Sequence, residues 1–190
     1  AEKKVGDSSI AFDGSGDGLT LSASSDWVFA DGEDFTFEGW INTDKTNECI
    51  YENKGGVTST PGWAIFVGAP YTTGKLEFYN QDDTRCASTT TVTDSAWYHF
   101  ACVMDSDTLR LYINGVQEDS AANGTTAWGR SNAPSIGQDE EQGGTTRDYS
   151  GYMDEIRFSN VARYPDGTTF TPQTTEFTTD SNTLLLIHSN

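Results

Sequence analysis

Apolar positions in this chain recur every second residue in short runs, and turn residues separate the runs. A period of two places alternate side chains on opposite faces of a sheet. Ile10 and Phe12 alternate with polar neighbours until Asp13-Gly14-Ser15-Gly16-Asp17-Gly18 breaks the chain, and Leu19 and Leu21 follow. Phe35, Phe37, Gly39 and Ile41 share one face of a longer strand. The pattern predicts further strands at Glu48–Glu52, Gly62–Val67, Lys75–Asn80, Ser135–Gln138, Gly151–Ser159 and Thr183–His188. Trp97–Met104 and Leu109–Ile113 read as a hairpin around Asp105-Ser106-Asp107, with Asn114-Gly115 as the next turn. Only Val161–Tyr164 reads as a helical turn, and the Thr-rich tract Phe170–Thr179 reads as an extended crossing segment. Many short strands between Gly-rich turns predict an all-β, two-sheet antiparallel sandwich. No repeat or linker divides residues 1–190, which read as one domain.

Composition agrees: 19 of 190 residues are Gly, above the usual ~7%, and 12% are aromatic, too many for a disordered chain. The 11 basic and 29 acidic residues give a net charge of −18. A nucleic-acid partner needs clustered Lys and Arg, so none is expected, and anionic membrane surfaces are disfavoured for the same reason. The longest apolar run, Leu184–Ile187, is far short of the roughly 20 residues a membrane helix needs, so no membrane insertion is expected. No leader-type segment opens the chain, which reads as a mature or excised piece. Three cysteines, Cys49, Cys86 and Cys102, allow one disulfide plus a thiol, or three thiols.

Several segments, in order, resemble laminin G-like and concanavalin A-like lectin domains, including the pentraxin-like members found among phage tail and bacterial surface proteins. They are Ser9–Asp17, Phe35–Ile41, Trp97–Ala101, Leu109–Gly115 and Ser150–Arg157. The resemblance implies a jelly-roll of two curved sheets, often with Ca²⁺ and often binding glycans. It implies an extracellular, cell-surface or virion setting, with neighbouring modules of a longer chain as further partners. In pentraxins a disulfide uses a Cys matching Cys102. Its partner position here is Glu38, so that bridge is absent and Cys49 and Cys86 are left as the candidate pair.

The densest acidic stretch is Gln138–Gly144. Its three consecutive carboxylates need solvent or a cation, and Ca²⁺ takes six to eight oxygens from such loops. By the pentraxin resemblance, Asp139 and Glu141 would offer side chains and Glu140 a carbonyl. Asn47 would join from an earlier strand, where Thr46 departs from the pattern and Asp44 could compensate. A solvated acidic loop is the alternative. Asp154 shares strand parity with Ile156 and Phe158, so it is expected to face the core beside the first Gly-rich turn with Asp13 and Asp17. There it would hold Ca²⁺ or accept main-chain hydrogen bonds.

Glycan recognition uses aromatic platforms beside polar groups. Trp128, Tyr149, Trp63 and Tyr71 are the loop candidates, with Arg147 as a polar partner. The ligand is expected at loops beside the acidic turn, on Trp128 or Tyr149. Asp154 and Glu155 are adjacent, so they should point to opposite faces and cannot form the acid and nucleophile of a glycosidase. His99 reads as a satisfied sheet residue. The function read from the sequence is a non-enzymatic, calcium-binding carbohydrate-recognition or adhesion module for a glycan or glycosylated surface. A structural protein–protein module of the same fold and a polysaccharide-degrading enzyme are the rivals.

Overall fold

The computed structural model of the chain describes residues 2–53, 62–68, 73–80, 83–123, 129, 131–139 and 147–189. Its strands are β1 (Ile10–Asp13), β2 (Leu19–Thr20), β3 (Phe35–Asn42), β4 (Glu48–Asn53), β5 (Trp63–Val67), β6 (Lys75–Asn80), β7 (Asp83–Thr91), β8 (Tyr98–Asp105), β9 (Thr108–Ile113), β10 (Val116–Ala122), β11 (Ser135–Ile136), β12 (Ser150–Ser159) and β13 (Thr183–Ile187). They form two antiparallel sheets. A seven-stranded sheet has the order β1-β12-β3-β8-β9-β10 with β13 also on β12, and a six-stranded sheet has the order β2-β11-β4-β5-β6-β7. The expected two-sheet sandwich is the observed fold. The turn expected at Val161–Tyr164 is not helical; the helical turn among the described residues is Ser25–Trp27, capped by the Ser24 side chain on the Asp26 amide.

The core lies between the sheets and is rich in rings. Phe35, Phe37 and Ile41 of β3 meet Tyr51, Trp63 and Phe78 of the opposite sheet, as the alternation in β3 requires. Trp63 stacks on Phe35 at 5.4 Å and on Phe78 at 5.2 Å. Burying each such ring stabilises by roughly 1.5–3 kcal/mol.

β7 and β10 escape the sequence pattern because each is the last strand of its sheet. An edge strand needs no apolar face, but it must protect its free amides. β10 supplies that protection with carboxylates. Glu118 Oε2 accepts from the amides of Thr89 and Thr90 at 2.7 and 2.8 Å, and Asp119 Oδ2 accepts from the Ala87 amide at 2.9 Å.

β12 carries the main departure from simple alternation. Its register on β3 shifts between Asp154 and Arg157, and Glu155 has φ +51°. Trp40 pairs with Asp154 and Glu38 with Arg157, so Gly39 faces two residues, Glu155 and Ile156. A Cβ on Gly39 would lie 2.5 Å from Ile156 Cδ1, so a larger residue there collides with the bulge. The extra residue reverses parity: Met153, Ile156 and Phe158 are core residues. Asp154 therefore does not share the inward row of Ile156 and Phe158, which corrects the expectation from the sequence. Its Oδ2 accepts from the amides of Lys4 and Val5 at 3.2 and 2.9 Å, and its Oδ1 from Ser189 Oγ at 2.9 Å. Glu155 is equally buried. It accepts from the Phe177 amide and pairs with His188 Nδ1 at 2.7 Å.

The Thr-rich tract crosses the outside of the seven-stranded sheet without regular structure, as expected. Tyr164 and Phe170 stack at 3.5 Å over Ala101, Val103 and Tyr112. Beneath this cover Glu38 accepts from Arg157 Nη2 at 2.6 Å and the Tyr164 hydroxyl at 2.7 Å, and His99 Nε2 lies 3.3 Å from its Oε2.

All three cysteines are buried, and none is in a disulfide. Cys49 packs with Ala64 and Phe66 on the outer face of its sheet, whereas Cys86 and Cys102 lie in the central core. A sheet separates Cys49 from Cys86, so the pairing inferred from the sequence does not form.

Candidate functional site

A cleft of about 640 Å³ opens where the end of β1, the start of β12 and the segment after β3 meet. Its geometry follows from local backbone chemistry. The Gly-rich turn after β1 is held by its own carboxylates: Asp13 Oδ1 accepts from the Ser15 amide at 2.8 Å, and Asp17 Oδ2 from the Asp13 amide at 3.0 Å. Asp148 Oδ2 ties the turn to the chain before β12 through the Gly16 amide at 2.9 Å. Gly151 has φ +148°, and a Cβ there would lie 2.2 Å from the carbonyl oxygen of Asn42. Only glycine lets β12 and β3 approach so closely at the cleft wall.

Thr43 and Glu48 brace that wall from inside. Thr43 Oγ1 is 2.8 Å from both Glu48 Oε2 and the Ser150 carbonyl, and Glu48 Oε1 accepts from the Ser150 amide at 2.9 Å. Burial pushes the Glu48 carboxyl up to about 7, against the opposing effect of its Thr43 and Ser150 hydrogen bonds. Both its oxygens are used within the wall. Asn42 is fixed next to them: only 7% exposed, it donates Nδ2 to the Ser95 carbonyl at 3.0 Å. The Ser95 amide in turn donates to the Thr43 carbonyl at 3.0 Å. Tyr152, Phe12, Ser150 and the carboxylates of Glu2, Asp13, Asp17 and Asp44 complete the lining.

Among the described residues, those singled out in the sequence reach this cleft only at Asp13, Asp17 and Asp44. Tyr149 is fully buried, edge-on to Phe12 at 5.6 Å, and Trp63 is at the centre of the ring cluster. Neither can serve as a stacking platform, because the core already covers both rings. Arg147 holds Asp139 at 3.1 Å and lies 5.0 Å over the Phe66 ring. Asn47 is exposed with φ +67°. Asp154 binds the chain ends, away from the first turn that was expected beside it. Trp128, Tyr71, Glu140 and Glu141 lie outside the described residues. Among the described residues no three His, Cys, Asp or Glu side chains are grouped to hold a metal ion. The sequence reading missed Asn42, Ser95 and Tyr152. Their signal is a register, Tyr152 opposite Asn42 and Ala11, which no local pattern encodes.

The family model described as the concanavalin A-like lectin/glucanases superfamily (Laminin_G_3) matches residues 13–167. The chain belongs to this superfamily. Solved structures of the same fold include a heptameric SAP-like pentraxin from Limulus polyphemus, with 16% identity and a TM-score of 0.57 over 95% of each chain. Another is domain 4 of AbnA, a GH43 extracellular arabinanase from Geobacillus stearothermophilus, in complex with arabinotriose. It has 15% identity and a TM-score of 0.57 over 83% of this chain and 77% of that one. Domains LG4-5 of mouse laminin alpha1 have 13% identity and a TM-score of 0.57 over 87% of this chain and 47% of theirs. No curated protein matches the chain. At these identities the solved structures establish the superfamily's fold for this member and nothing finer.

Proposed function

We propose that the chain is a non-catalytic carbohydrate-recognition module of an extracellular or surface protein, with its ligand in the cleft between β1, β12 and the segment after β3. The observation that carries the reading is the make-up of that cleft. A space of about 640 Å³ falls within the usual range for ligand pockets. It places a half-buried aromatic, Tyr152, beside a fixed amide, hydroxyls and carboxylates. Such a set can pair sugar hydroxyls while a ring packs on C–H groups. The AbnA domain, bound to arabinotriose in its own structure, supports a saccharide as ligand for this fold. A binding role is favoured over hydrolysis by the state of the carboxyls. Asp154 and Glu155 are consumed by the chain ends, and Glu48, whose proton affinity would suit an acid catalyst, spends both oxygens inside the wall.

Calcium belongs to this proposal through the Gln138–Gly144 loop, where a bound ion would compete with Arg147 for Asp139. A ligand specific to the folded state raises the melting temperature. A chelated sample should therefore gain stability on calcium add-back, and an unchanged melting temperature would remove calcium from the proposal. The glycan reading is tested by an array screened with the parent protein, Tyr152→Ala and Asn42→Ala. Loss of hits in both variants is expected, at unchanged melting temperature for Tyr152→Ala and with some loss of stability for Asn42→Ala, which strands the Ser95 carbonyl. Hits retained by both would move the site away from this cleft, and no hits for the parent would sink the reading.

A further inference from the structure

We propose that the cleft selects saccharides bearing a protonated amine, of the unacetylated 2-amino-2-deoxy class, and rejects uronate, sialate and sulfate chains; this deepens the carbohydrate reading and rests on it. Two independent observations lead there. The first is the balance of hydrogen-bonding roles. Asn42 is more than nine-tenths buried, and the bond from Nδ2 to the Ser95 carbonyl fixes which way its amide points. Among the described residues nothing donates to its Oδ1, and Asn42 lines the cleft, so the wall offers an acceptor to a ligand donor. Thr43 cannot supply one, because its hydroxyl faces Glu48 and the Ser150 carbonyl. The second is charge. Among the described residues, Glu2, Asp13, Asp17 and Asp44 line the cleft, and no Lys, Arg or His does. Two bases adjoin lining residues along the chain: Lys3, beside Glu2, lies 3.8 Å from Asp7, and Lys45 is paired with Asp44 at 3.0 Å, with both of the latter side chains 57% exposed.

An ammonium group answers both features: it has three donors, no acceptor, and a charge opposite to that of the rim. A neutral sugar hydroxyl answers only the first. An acidic sugar answers the first only through its hydroxyls, and its carboxylate or sulfate adds acceptors and like charge. The cleft is open to water, so the charge preference should be modest and sensitive to salt. At the dielectric of bulk water, one or two close charge pairs correspond to roughly tenfold in affinity.

The test is calorimetric titration of the full chain with oligomers of equal length built from glucosamine, N-acetylglucosamine and galacturonate. Each is run at low and high salt, with and without calcium. Glucosamine oligomers should bind about tenfold more tightly than the acetylated ones at low salt, and the gap should close as salt rises. Galacturonate should bind weakest. The isosteric double variant Asp13→Asn/Asp17→Asn, which keeps an acceptor at each turn position, should bind glucosamine and acetylated oligomers equally at low salt. Equal binding of amine and acetamide oligomers overturns the charge selection but leaves the carbohydrate reading intact. So does binding by some other array glycan with none of these three. Calcium reversing the order would make the cleft a cation site and overturn the inference. A lysine-rich peptide binding as tightly as the amino sugar would overturn it in favour of a basic protein segment. Failure of every glycan removes the underlying reading itself.

Discussion

Two buried glutamates set opposite pH responses. At Glu38 burial raises proton affinity, but hydrogen bonding and charge from His99, the Arg157 guanidinium and the Tyr164 hydroxyl outweigh it and hold the carboxyl below its ordinary value. A depressed carboxyl stabilises the fold above its unfolded value, near 4.5, and that stability is lost as pH falls through the lower folded value. Arg157→Met should cost about 3–5 kcal/mol, since it strands a buried charge, and denaturant unfolding at neutral pH measures this. Glu48, raised to about 7, behaves in the reverse sense. Its folded state binds the proton more tightly than the unfolded chain, so its contribution is full below pH 4.5 and lost as pH rises through about 7. Glu48→Gln should flatten the melting temperature across that window, and an unchanged slope would show that another group titrates there. None of this was legible in the sequence, because Glu38 and Glu48 sit in polar positions of ordinary alternating strands. Their partners Arg157, Tyr164 and Ser150 are more than a hundred residues away.

At the level of elements, the β12 bulge decides most of what the sequence reading got wrong. Alternation sends Asp154 inward and Glu155 outward, whereas the inserted residue leaves both buried against chain segments that cover the sheet. Asp154→Ala and Glu155→Ala should therefore each destabilise by roughly 1–3 kcal/mol, because each strands buried amide donors. Chemical denaturation of the two variants checks this, and a harmless Glu155→Ala would contradict the bulge. Gly39→Val should be worse than either, since its side chain meets Ile156. The interior strands were legible because two buried rows leave a strict period. The edge strands β7 and β10 were not, because their stabilisation is carboxylate-to-amide pairing across the sandwich rim, which leaves no period. The cleft was missed for a related reason. It is built by the register of β12 on β1 and β3, while the aromatic residues that looked available for a ligand were required by the core.

For the whole molecule, two sheets close over three buried thiols. Cys102 has its thiol pushed well above the ordinary value, chiefly by burial, with the neighbouring Cys86 adding to it. A thiol reagent should modify the native protein only as fast as it unfolds, and then all three cysteines together. Rapid native labelling of Cys102 would show an opening in the core. The outer edge of β12 has a different consequence. β1 pairs with Ser150–Met153 and β13 with Ile156–Ser159, so the two strands lie end to end along one edge. Their abutting ends meet at the bulge, where Ser189 Oγ donates to the Ser8 carbonyl at 3.0 Å. Tension applied through Lys4 and Ser189 thus loads a nick in a single edge. β1 and β13 peel outward from it one hydrogen bond at a time, while β3, β8 and β9 remain shielded. Force–extension traces on protein held at those two positions should show a weak first step before a stronger rupture; one strong rupture would contradict this. The first step removes Ala11, Phe12 and Asp13 from the cleft wall. Mechanical load on the chain ends therefore dismantles the cleft before the sandwich itself yields.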